Sequence, residues 1–256
     1  MPTRDDYEPG RPSWVDLGTS DPAAARAFYG ELFGWSADVD PRPEAGGYAQ
    51  FMRDGKPVAG CGPLFVEGMP PAWTSYVATA DADATAKVAA DLGGTVVTEP
   101  FDVLDAGRMA ALAAPDGSVI GVWQAKAHKG AALVNEPGSW QWNQLLTRDK
   151  AAADAFYAPL FGWQLRSHPQ WGEYWSLGDG EVTGVSELGP EAPAEVPAHW
   201  QVVFTVEDAE ATLARAGELG GSALGPTAPW GPGGRFGTIA DPQGATFGVL
   251  SLPASG

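Results

Sequence analysis

The first part of the chain alternates apolar and polar positions and then changes to a helical spacing. WVDLGTSD (14–21) has the alternation of a short strand. Asp21 is placed to cap a helix, apolar side chains recur every four residues after it, and Gly34 predicts the end of that helix. Three further strands are expected near 37–42, 47–53 and 57–65. The pattern therefore predicts a β-α-β-β-β unit.

The same order of elements begins again at Trp73. WTSYVATAD predicts a strand, and residues 81–92 predict a helix that ends at a Gly-Gly pair. Strands are expected near 95–99, 108–113 and 118–123, and an Ala-Pro-Asp-Gly turn separates the last two. This segment is a second unit of the same kind.

The two units together recur later in the chain. FYGELFGW (28–35) returns as FYAPLFGW (156–163), and the segments 73–94 and 200–221 align at nearly the same offset. Such ordered matches indicate a tandem duplication. We predict one domain at 11–124, a linker at 125–137 and a second domain at 138–252. The expected fold class is α+β, with four βαβββ units forming two tandem domains that have curved mixed sheets.

The amino-acid composition and charge disfavour several classes of protein and of binding partner. The 34 Gly and 23 Pro disfavour helical bundles, whereas 11 Trp and 10 Phe supply apolar area for a core. The formal net charge of -17 disfavours nucleic acid and anionic membrane surfaces as partners. The single cysteine, Cys61, predicts a buried, unreactive thiol. The polar N-terminus and the lack of a long apolar stretch lead us to expect a cytoplasmic, acidic protein.

The chain has a strand, then an Asp, then a helix that carries FYxxLFGW, and later the motifs LGG, GR and DPxG. This order of elements and motifs resembles the vicinal oxygen chelate superfamily. That superfamily includes glyoxalases, extradiol dioxygenases and bleomycin-resistance proteins. Within it, the chain is similar to the two-domain actinobacterial glyoxalase-like group, whose members are often labelled hydroxylases. The resemblance implies the fold but no single activity, because this fold hosts isomerases, lyases, dioxygenases and plain binders.

The resemblance also implies where a metal would be held. The family's ligand positions fall on Trp14, Thr74 and Gly121 in the first copy and on Trp142, Gln201 and Gly248 in the second. None of these carries an imidazole, a carboxylate or a thiolate, which first-row divalent cations require. His128, His168 and His199 are interpreted as rim or surface residues. We therefore expect neither a metal nor another cofactor.

The resemblance implies a ligand cavity on the concave face of each sheet. Its candidate ligand-binding residues are Trp14, Asp16, Tyr48, Trp73, Trp142, Gln144, Tyr174, Trp200, Gln201 and Trp230. Trp14 and Trp142 either stack on a ligand or fill the place of the lost metal. Trp35 and Trp163 are assigned to the core. Arg108 and Arg235 either bind an anion or, as we favour, bond to the following DPxG turn.

The function favoured by this pattern is metal-free binding of a small organic molecule, aromatic or cationic, in an aromatic-lined pocket. The alternative is an enzyme of the lyase, isomerase or hydroxylase type, with Asp16 as the candidate acid or base. A third hypothesis is a structural protein with both cavities filled by side chains. We expect the copies to pair around a pseudo-twofold axis, giving a monomer or a weak homodimer. Because Asp16 aligns with Gln144, we expect the first pocket to be the more selective.

Overall fold

The first copy contains two β-α-β-β-β units in the computed structural model, which describes residues 4–65, 68–189 and 192–253. The first unit consists of β1 (Pro12–Thr19), α1 (Pro22–Phe33), β2 (Ser36–Val39), β3 (Ala49–Arg53) and β4 (Lys56–Pro63). The second unit consists of β5 (Ala72–Ala78), α2 (Ala82–Asp91), β6 (Thr95–Val103), β7 (Gly107–Ala113) and β8 (Val119–Ala125).

The second copy repeats this order. Its first unit consists of β9 (Ser139–Thr147), α3 (Lys150–Phe161), β10 (Gln164–His168), β11 (Gly172–Leu177) and β12 (Gly180–Glu187). Its second unit consists of β13 (His199–Thr205), α4 (Ala209–Glu218), β14 (Ser222–Ala223), β15 (Ala228–Trp230), β16 (Gly234–Ala240) and β17 (Thr246–Ser251). The second copy has the two short strands β14 and β15 after its second helix, where the first copy has the single strand β6. No helix in the described ranges has the length and apolar character needed to cross a membrane.

Each copy forms one mixed sheet. The strand order is β2-β3-β4-β1-β5-β8-β7-β6 in the first and β10-β11-β12-β9-β13-β17-β16-β14 in the second, with β15 beside β16. Within each unit the first strand lies parallel to the last, and the first strands of the two units lie antiparallel at the centre. The predicted α+β class and the tandem arrangement of two similar mixed sheets are confirmed.

The capping residues identified in the sequence set the helix ends. The Asp21 carboxylate accepts hydrogen bonds from the backbone N–H of Ala23 and Ala24, which have no partner inside α1. Gly34 ends this helix in the left-handed conformation, with φ of 71°. Asp149 and Gly162 repeat this arrangement in α3. The repeated sequence therefore encodes a repeated local structure.

The two copies pack against each other through equivalent contacts. The indole N–H of Trp35 donates to the carbonyl of Gly138 at 2.7 Å, and that of Trp163 donates to the carbonyl of Gly10 at 2.6 Å. Helix α1 packs on α4, and α2 packs on α3. Both tryptophans are buried, as predicted. Each copy thus makes the same kind of contact with the other.

The hydrophobic core is shared between the copies. One cluster joins Phe28, Tyr29 and Phe33 of α1 to Phe204 and Phe247 of the second copy. The equivalent cluster joins side chains of α3 to apolar residues of the first sheet. The Tyr29 hydroxyl donates across this boundary to Asp241 at 3.1 Å. Each sheet therefore turns one face to this shared core and leaves its other face available for a cavity.

Candidate active site

The larger cavity of the two concave faces lies in the first copy. It has a volume of about 720 Å³, and side chains of β1, β5, β8 and the linker form its floor. Trp14 and Asp16 from β1 lie on it, together with Tyr48 from the loop before β3. Residues 14 and 16 reach the same face because side chains alternate along a strand. The cavity thus brings together three of the four first-copy candidates that we expected there.

Asp16 carries the buried charge of this cavity. Its side chain is 9% exposed, and β1 places it between Gly60 of β4 and Thr74 of β5. Burial raises the pKa of the carboxyl to about 7, and a hydrogen bond from the Tyr76 hydroxyl partly offsets that rise. Near neutral pH the carboxyl therefore exchanges its proton readily, which makes it suited to acid–base chemistry.

Tyr48 lies beside Asp16 over a glycine. A Cβ at Gly60 would overlap the Tyr48 hydroxyl and would stand 2.8 Å from the Cβ of Asp16. The Tyr48 oxygen accepts a hydrogen bond from Trp14 Nε1 at 3.1 Å. The hydroxyl hydrogen is not used in that bond and is available to a ligand. Gly60 therefore makes room for a carboxylate and a hydroxyl donor side by side.

Tyr76 and His128 also line the cavity, although neither was among the candidates. Tyr76 pairs with Trp14 across the sheet, and its hydroxyl bonds to Asp16. The His128 ring packs edge-on against Trp14 with centroids 4.3 Å apart. Burial lowers the pKa of His128 to about 4, so the imidazole is neutral at pH 7. The interpretation of His128 as a rim or surface residue is wrong, because the linker folds back onto the sheet.

The mouth of the first cavity is acidic and partly apolar. Four carboxylates line it, from Asp38, Asp40, Glu44 and Asp102. Arg42 also lines it and bonds to Asp40 and to Asp105, which lies at the turn between β6 and β7. Among the described residues, Asp38 and Glu44 form no ion pair. The mouth therefore favours an approaching cation over an anion.

The second cavity is smaller, about 340 Å³, and its polar groups are already bonded to one another. The Gln144 amide oxygen accepts from Trp142 Nε1 at 3.1 Å, and its nitrogen donates to the Ser186 hydroxyl at 2.9 Å. Gln201 donates to the Thr238 hydroxyl at 3.3 Å. The other expected residues of this cavity are Tyr174 and Trp230. It thus offers an aromatic surface without a buried charge.

Two of the predicted cavity residues, Trp73 and Trp200, lie in the core instead. Trp73 pairs with Leu17 in the sheet, so it faces away from Asp16 and donates to the Tyr29 hydroxyl at 3.0 Å. Trp200 donates to the Tyr157 hydroxyl at 3.1 Å in the same way. Strand alternation reverses the direction of a side chain from one residue to the next. Their assignment as ligand-binding residues is therefore corrected.

The paired arginines are structural, but their partners differ from those we favoured. Arg108 reaches from β7 to Asp83 in the first turn of α2, with contacts of 2.7 and 2.8 Å. Arg235 reaches from β16 to Glu210 in the first turn of α4. Each ion pair attaches a helix to its sheet. Neither arginine bonds to the DPxG turn, and neither lines a described cavity.

The residues at the family's metal positions do not fit a metal ion. In the first copy the ring of Tyr76 covers Gly121 so closely that a Cβ there would overlap it. In the second copy, a Cβ on Gly248 would stand 2.7 Å from the Phe236 ring. A carboxylate ligand therefore has no room at either position. Among the described residues, no three His, Cys, Asp or Glu side chains are grouped so as to hold a metal.

Comparison with known proteins agrees with this fold. Residues 11–122 match the model of the Glyoxalase/Bleomycin resistance protein/Dioxygenase superfamily, and residues 129–250 match the Glyoxalase-like domain. The chain is 43% identical over 258 residues to "Putative glyoxylase CFP32" of Mycobacterium tuberculosis, covering 98% of both chains. It is 41% identical to "Anthracycline biosynthesis protein DnrV" of Streptomyces peucetius, covering 96% of this chain and 94% of that one.

Solved structures show the same architecture at lower identity. A Mn(II)-bound glyoxalase from Novosphingobium aromaticivorans superimposes with a TM-score of 0.62 at 18% identity, over 95% of this chain and 82% of that one. A 2,2',3-trihydroxybiphenyl 1,2-dioxygenase from Sphingomonas wittichii gives 0.63 at 14%, over 96% and 91%. These similarities concern the fold alone. The family matches and the relatives of more than 40% identity show that this chain belongs to the glyoxalase/bleomycin resistance protein/dioxygenase superfamily.

Proposed function

We propose that the protein binds a planar aromatic small molecule in the cavity of its first copy, without a metal ion. The observation that carries this proposal is the position of Asp16, a buried carboxyl on the floor of a cavity of about 720 Å³. Trp14, Tyr48, Tyr76 and Trp123 give that cavity its aromatic walls. Aromatic side chains bind planar ring systems well, and a buried carboxylate discriminates between ligands by charge and hydrogen bonding.

The charge around the mouth supports a cationic or hydrogen-bond-donating group on the ligand. The carboxylates of Asp38 and Glu44 lie at the mouth, and Asp16 lies within. Asp38 and Glu44 are exposed and attract a cation to the mouth, whereas the buried Asp16 carboxylate attracts it more strongly once it is inside. The relative from Streptomyces peucetius is named an anthracycline biosynthesis protein. We therefore choose an aminoglycosylated anthracycline as the first probe of this cavity.

Calorimetry with doxorubicin, which carries an ammonium group on its sugar, and with its aglycone, which does not, tests the proposal. The wild-type protein is expected to bind both and to prefer the cation. Asp16→Asn keeps the shape and removes the charge, and is expected to weaken doxorubicin binding by about 1–3 kcal/mol. Gln144→Ala in the second copy is the matched change and is expected to weaken it less.

Three results would each contradict one part of the proposal: the role of Asp16, the location of the site in the first copy, or the aromatic nature of the ligand. Equal binding of doxorubicin by Asp16→Asn and the wild type would remove Asp16 from the site. A severe loss in Gln144→Ala with none in Asp16→Asn would move the site to the second copy. Failure of both compounds to bind at millimolar concentration would contradict an aromatic ligand for this cavity.

A further inference from the structure

We propose that the first cavity catalyses proton transfer at carbon in an aromatic ketone, with Asp16 as the base and Tyr48 as the hydrogen-bond donor to the enolate oxygen. This inference rests on the proposed function and adds a reaction and a substrate class to it. The reaction is redox-neutral and uses side chains alone. Its products are an enol or, when the proton returns to a different carbon, an isomer with a shifted double bond.

The placement of the two groups supports this chemistry. The Tyr48 hydroxyl and Asp16 both lie next to Gly60, where a Cβ would overlap the hydroxyl oxygen and stand 2.8 Å from the Cβ of Asp16. In a ketone, the acidic C–H and the carbonyl oxygen are on adjacent atoms, so a base and a donor that lie side by side can contact both. Tyr48 accepts from Trp14 Nε1, which fixes its oxygen and leaves its hydrogen for the substrate.

Tyr76 acts on Asp16 as a positioning residue. It comes from β5, directly across the sheet from Trp14, and its hydroxyl bonds to the Asp16 carboxyl. That bond holds one side of the carboxyl and leaves its remaining lone pairs directed to the cavity. The arrangement thus separates three tasks: Tyr76 orients the base, Asp16 accepts the proton, and Tyr48 stabilises the developing oxyanion.

The protonation states agree with these roles. Burial raises the pKa of Asp16 to about 7, so its carboxylate is a stronger base than an exposed Asp yet is still ionised above neutral pH. Apart from the charged side chains of the mouth, which are Asp38, Asp40, Arg42, Glu44 and Asp102, four other titratable groups lie around it: Tyr48, Tyr76, Cys61 and His128. Burial raises the pKa of both tyrosines well above 10 and that of Cys61 to about 12, and it lowers that of His128 to about 4. Of these five groups, only Asp16 titrates between pH 5 and 9.

The step is balanced without a co-reactant. The C–H bond next to the carbonyl breaks, and its proton moves to an Asp16 oxygen. The electron pair of that bond forms the carbon–carbon double bond of the enolate, while the carbonyl π pair moves to oxygen and accepts the Tyr48 hydrogen bond. Return of the proton to the same carbon restores the ketone, and exchange of the Asp16 proton with solvent labels it.

Hydrogen–deuterium exchange in 2-tetralone tests this inference. The C1 protons of this bicyclic aromatic ketone are both benzylic and next to the carbonyl, and proton NMR in D₂O follows their loss. The full-length wild-type protein is expected to accelerate exchange at least about tenfold over matched buffer, since positioned acid–base groups contribute roughly 10²–10⁴. The rate is expected to rise with pD as Asp16 ionises near 7 and then to level off.

Substitutions at Asp16 and Tyr48 test the role proposed for each side chain. Asp16→Asn is expected to return exchange to the buffer rate, and Tyr48→Phe to lower it by about tenfold or more while its dependence on pD is kept. Asp91→Asn makes the same chemical change at an exposed position of α2 and is expected to have no effect. Tyr48→Phe loses one oxygen atom and leaves Asp16 in place, so it tests the hydrogen-bond donor independently of the base.

Calorimetry with 2-tetralone on the same samples separates this inference from the proposed function. Binding by the wild type and by Asp16→Asn, with exchange only in the wild type, supports both. Binding with exchange at the buffer rate, or with equal exchange in Asp16→Asn, overturns the catalytic inference and leaves the proposed function standing. Lack of 2-tetralone binding overturns the substrate class, whereas the proposed function then depends on the anthracycline measurements alone.

Discussion

Trp14 and Trp142 occupy the same position in the two copies and each donates its indole N–H over 3.1 Å, but the acceptors differ. Trp14 donates to the Tyr48 hydroxyl, and Trp142 donates to the amide oxygen of Gln144. In the second copy the Gln144 oxygen lies over Gly184, in the place that the Tyr48 hydroxyl takes over Gly60. In the second cavity, the acceptor for the tryptophan N–H is thus Gln144, the residue that aligns with Asp16. In the first cavity, Tyr48 takes over that task and leaves Asp16 to face a ligand.

This difference predicts unequal effects of alanine at the two glycines. A Cβ at Gly60 collides with the hydroxyl of a rigid tyrosine, whereas one at Gly184 collides mainly with the end of the more flexible Gln144 side chain and stands 2.9 Å from Trp142 Nε1. Gly60→Ala is expected to lower the free energy of unfolding by about 1–3 kcal/mol and to abolish ligand binding in the first cavity. Urea unfolding and calorimetry with doxorubicin measure the two effects.

Gly184→Ala is the matched control. It is expected to cost less stability and to leave doxorubicin binding unchanged, because Gln144 can rotate and the second cavity is not the proposed site. Equal loss of binding in both variants would show that the glycines act through the sheet as a whole and not through Tyr48.

The pKa of Asp16 predicts a dependence of stability on pH. Burial raises that pKa to about 7 from an ordinary value of 3.8. Between these values the folded protein retains a proton that the unfolded chain has released, so the contribution of Asp16 to stability falls as the pH rises from about 4 to 7. Above pH 7 the cost of the buried charge is constant and on the order of 4 kcal/mol.

Comparison of the wild type with Asp16→Asn isolates this contribution. The variant cannot ionise and is expected to be a few kcal/mol more stable than the wild type at pH 8, with little difference at pH 4. His128 has its own lower pKa in both proteins and cancels from the comparison. Urea unfolding at the two pH values provides the measurement, and a difference that does not change with pH would contradict it.

The repeat and its caps made the fold predictable from the sequence. Asp21 and Gly34 set the two ends of α1 through local hydrogen bonds, so a short stretch of sequence is enough to predict where the helix begins and ends. Trp73 was misplaced because its direction depends on the register of β5 against β1. Asp16 pairs with Thr74, and this single pairing sends Trp73 to the core and Tyr76 to the cavity. Strand alternation applied from Thr74 would have found Tyr76.

His128 could not be found in this way. It belongs to the segment between the copies, which has neither strand nor helical periodicity. Its position is set by the path of that segment over the first sheet, where its carbonyl accepts from Trp123 Nε1 at 2.9 Å. Contacts of this kind join residues through the tertiary fold, and no spacing along the chain reports them.

The contact between copies predicts a matched pair of destabilised variants. The Tyr29 hydroxyl accepts from the buried Trp73 N–H and donates to Asp241, and the Tyr157 hydroxyl accepts from the Trp200 N–H. Replacement of either tyrosine by Phe leaves a buried N–H without its acceptor. Each change is expected to cost about 1–3 kcal/mol in urea unfolding. The double variant is expected to lose the sum, because the two sites lie in separate clusters.

If Tyr29→Phe lowers the free energy of unfolding and Tyr157→Phe does not, the loss comes from the hydrogen bond to Asp241 and not from the unpaired indole N–H. In that case Asp241→Asn is expected to reproduce the loss, since the Tyr29 hydroxyl would then donate to an uncharged acceptor. A double variant less damaged than the sum would show that the two clusters are coupled through the boundary between the copies.

The aromatic rings over Gly121 and Gly248 predict that the protein holds no stoichiometric metal ion. Tyr76 and Phe236 exclude a carboxylate from these positions, and a first-row divalent ion held by Asp16 alone would be bound weakly. Elemental analysis of protein purified without chelators is expected to show no zinc, manganese, iron or nickel near one equivalent. Added Mn²⁺ or Zn²⁺ is expected to leave the melting temperature unchanged within about a degree, because an ion stabilises a fold only through a site that the folded state offers. One equivalent of metal that disappears in Asp16→Asn would contradict this and would make Asp16 a ligand.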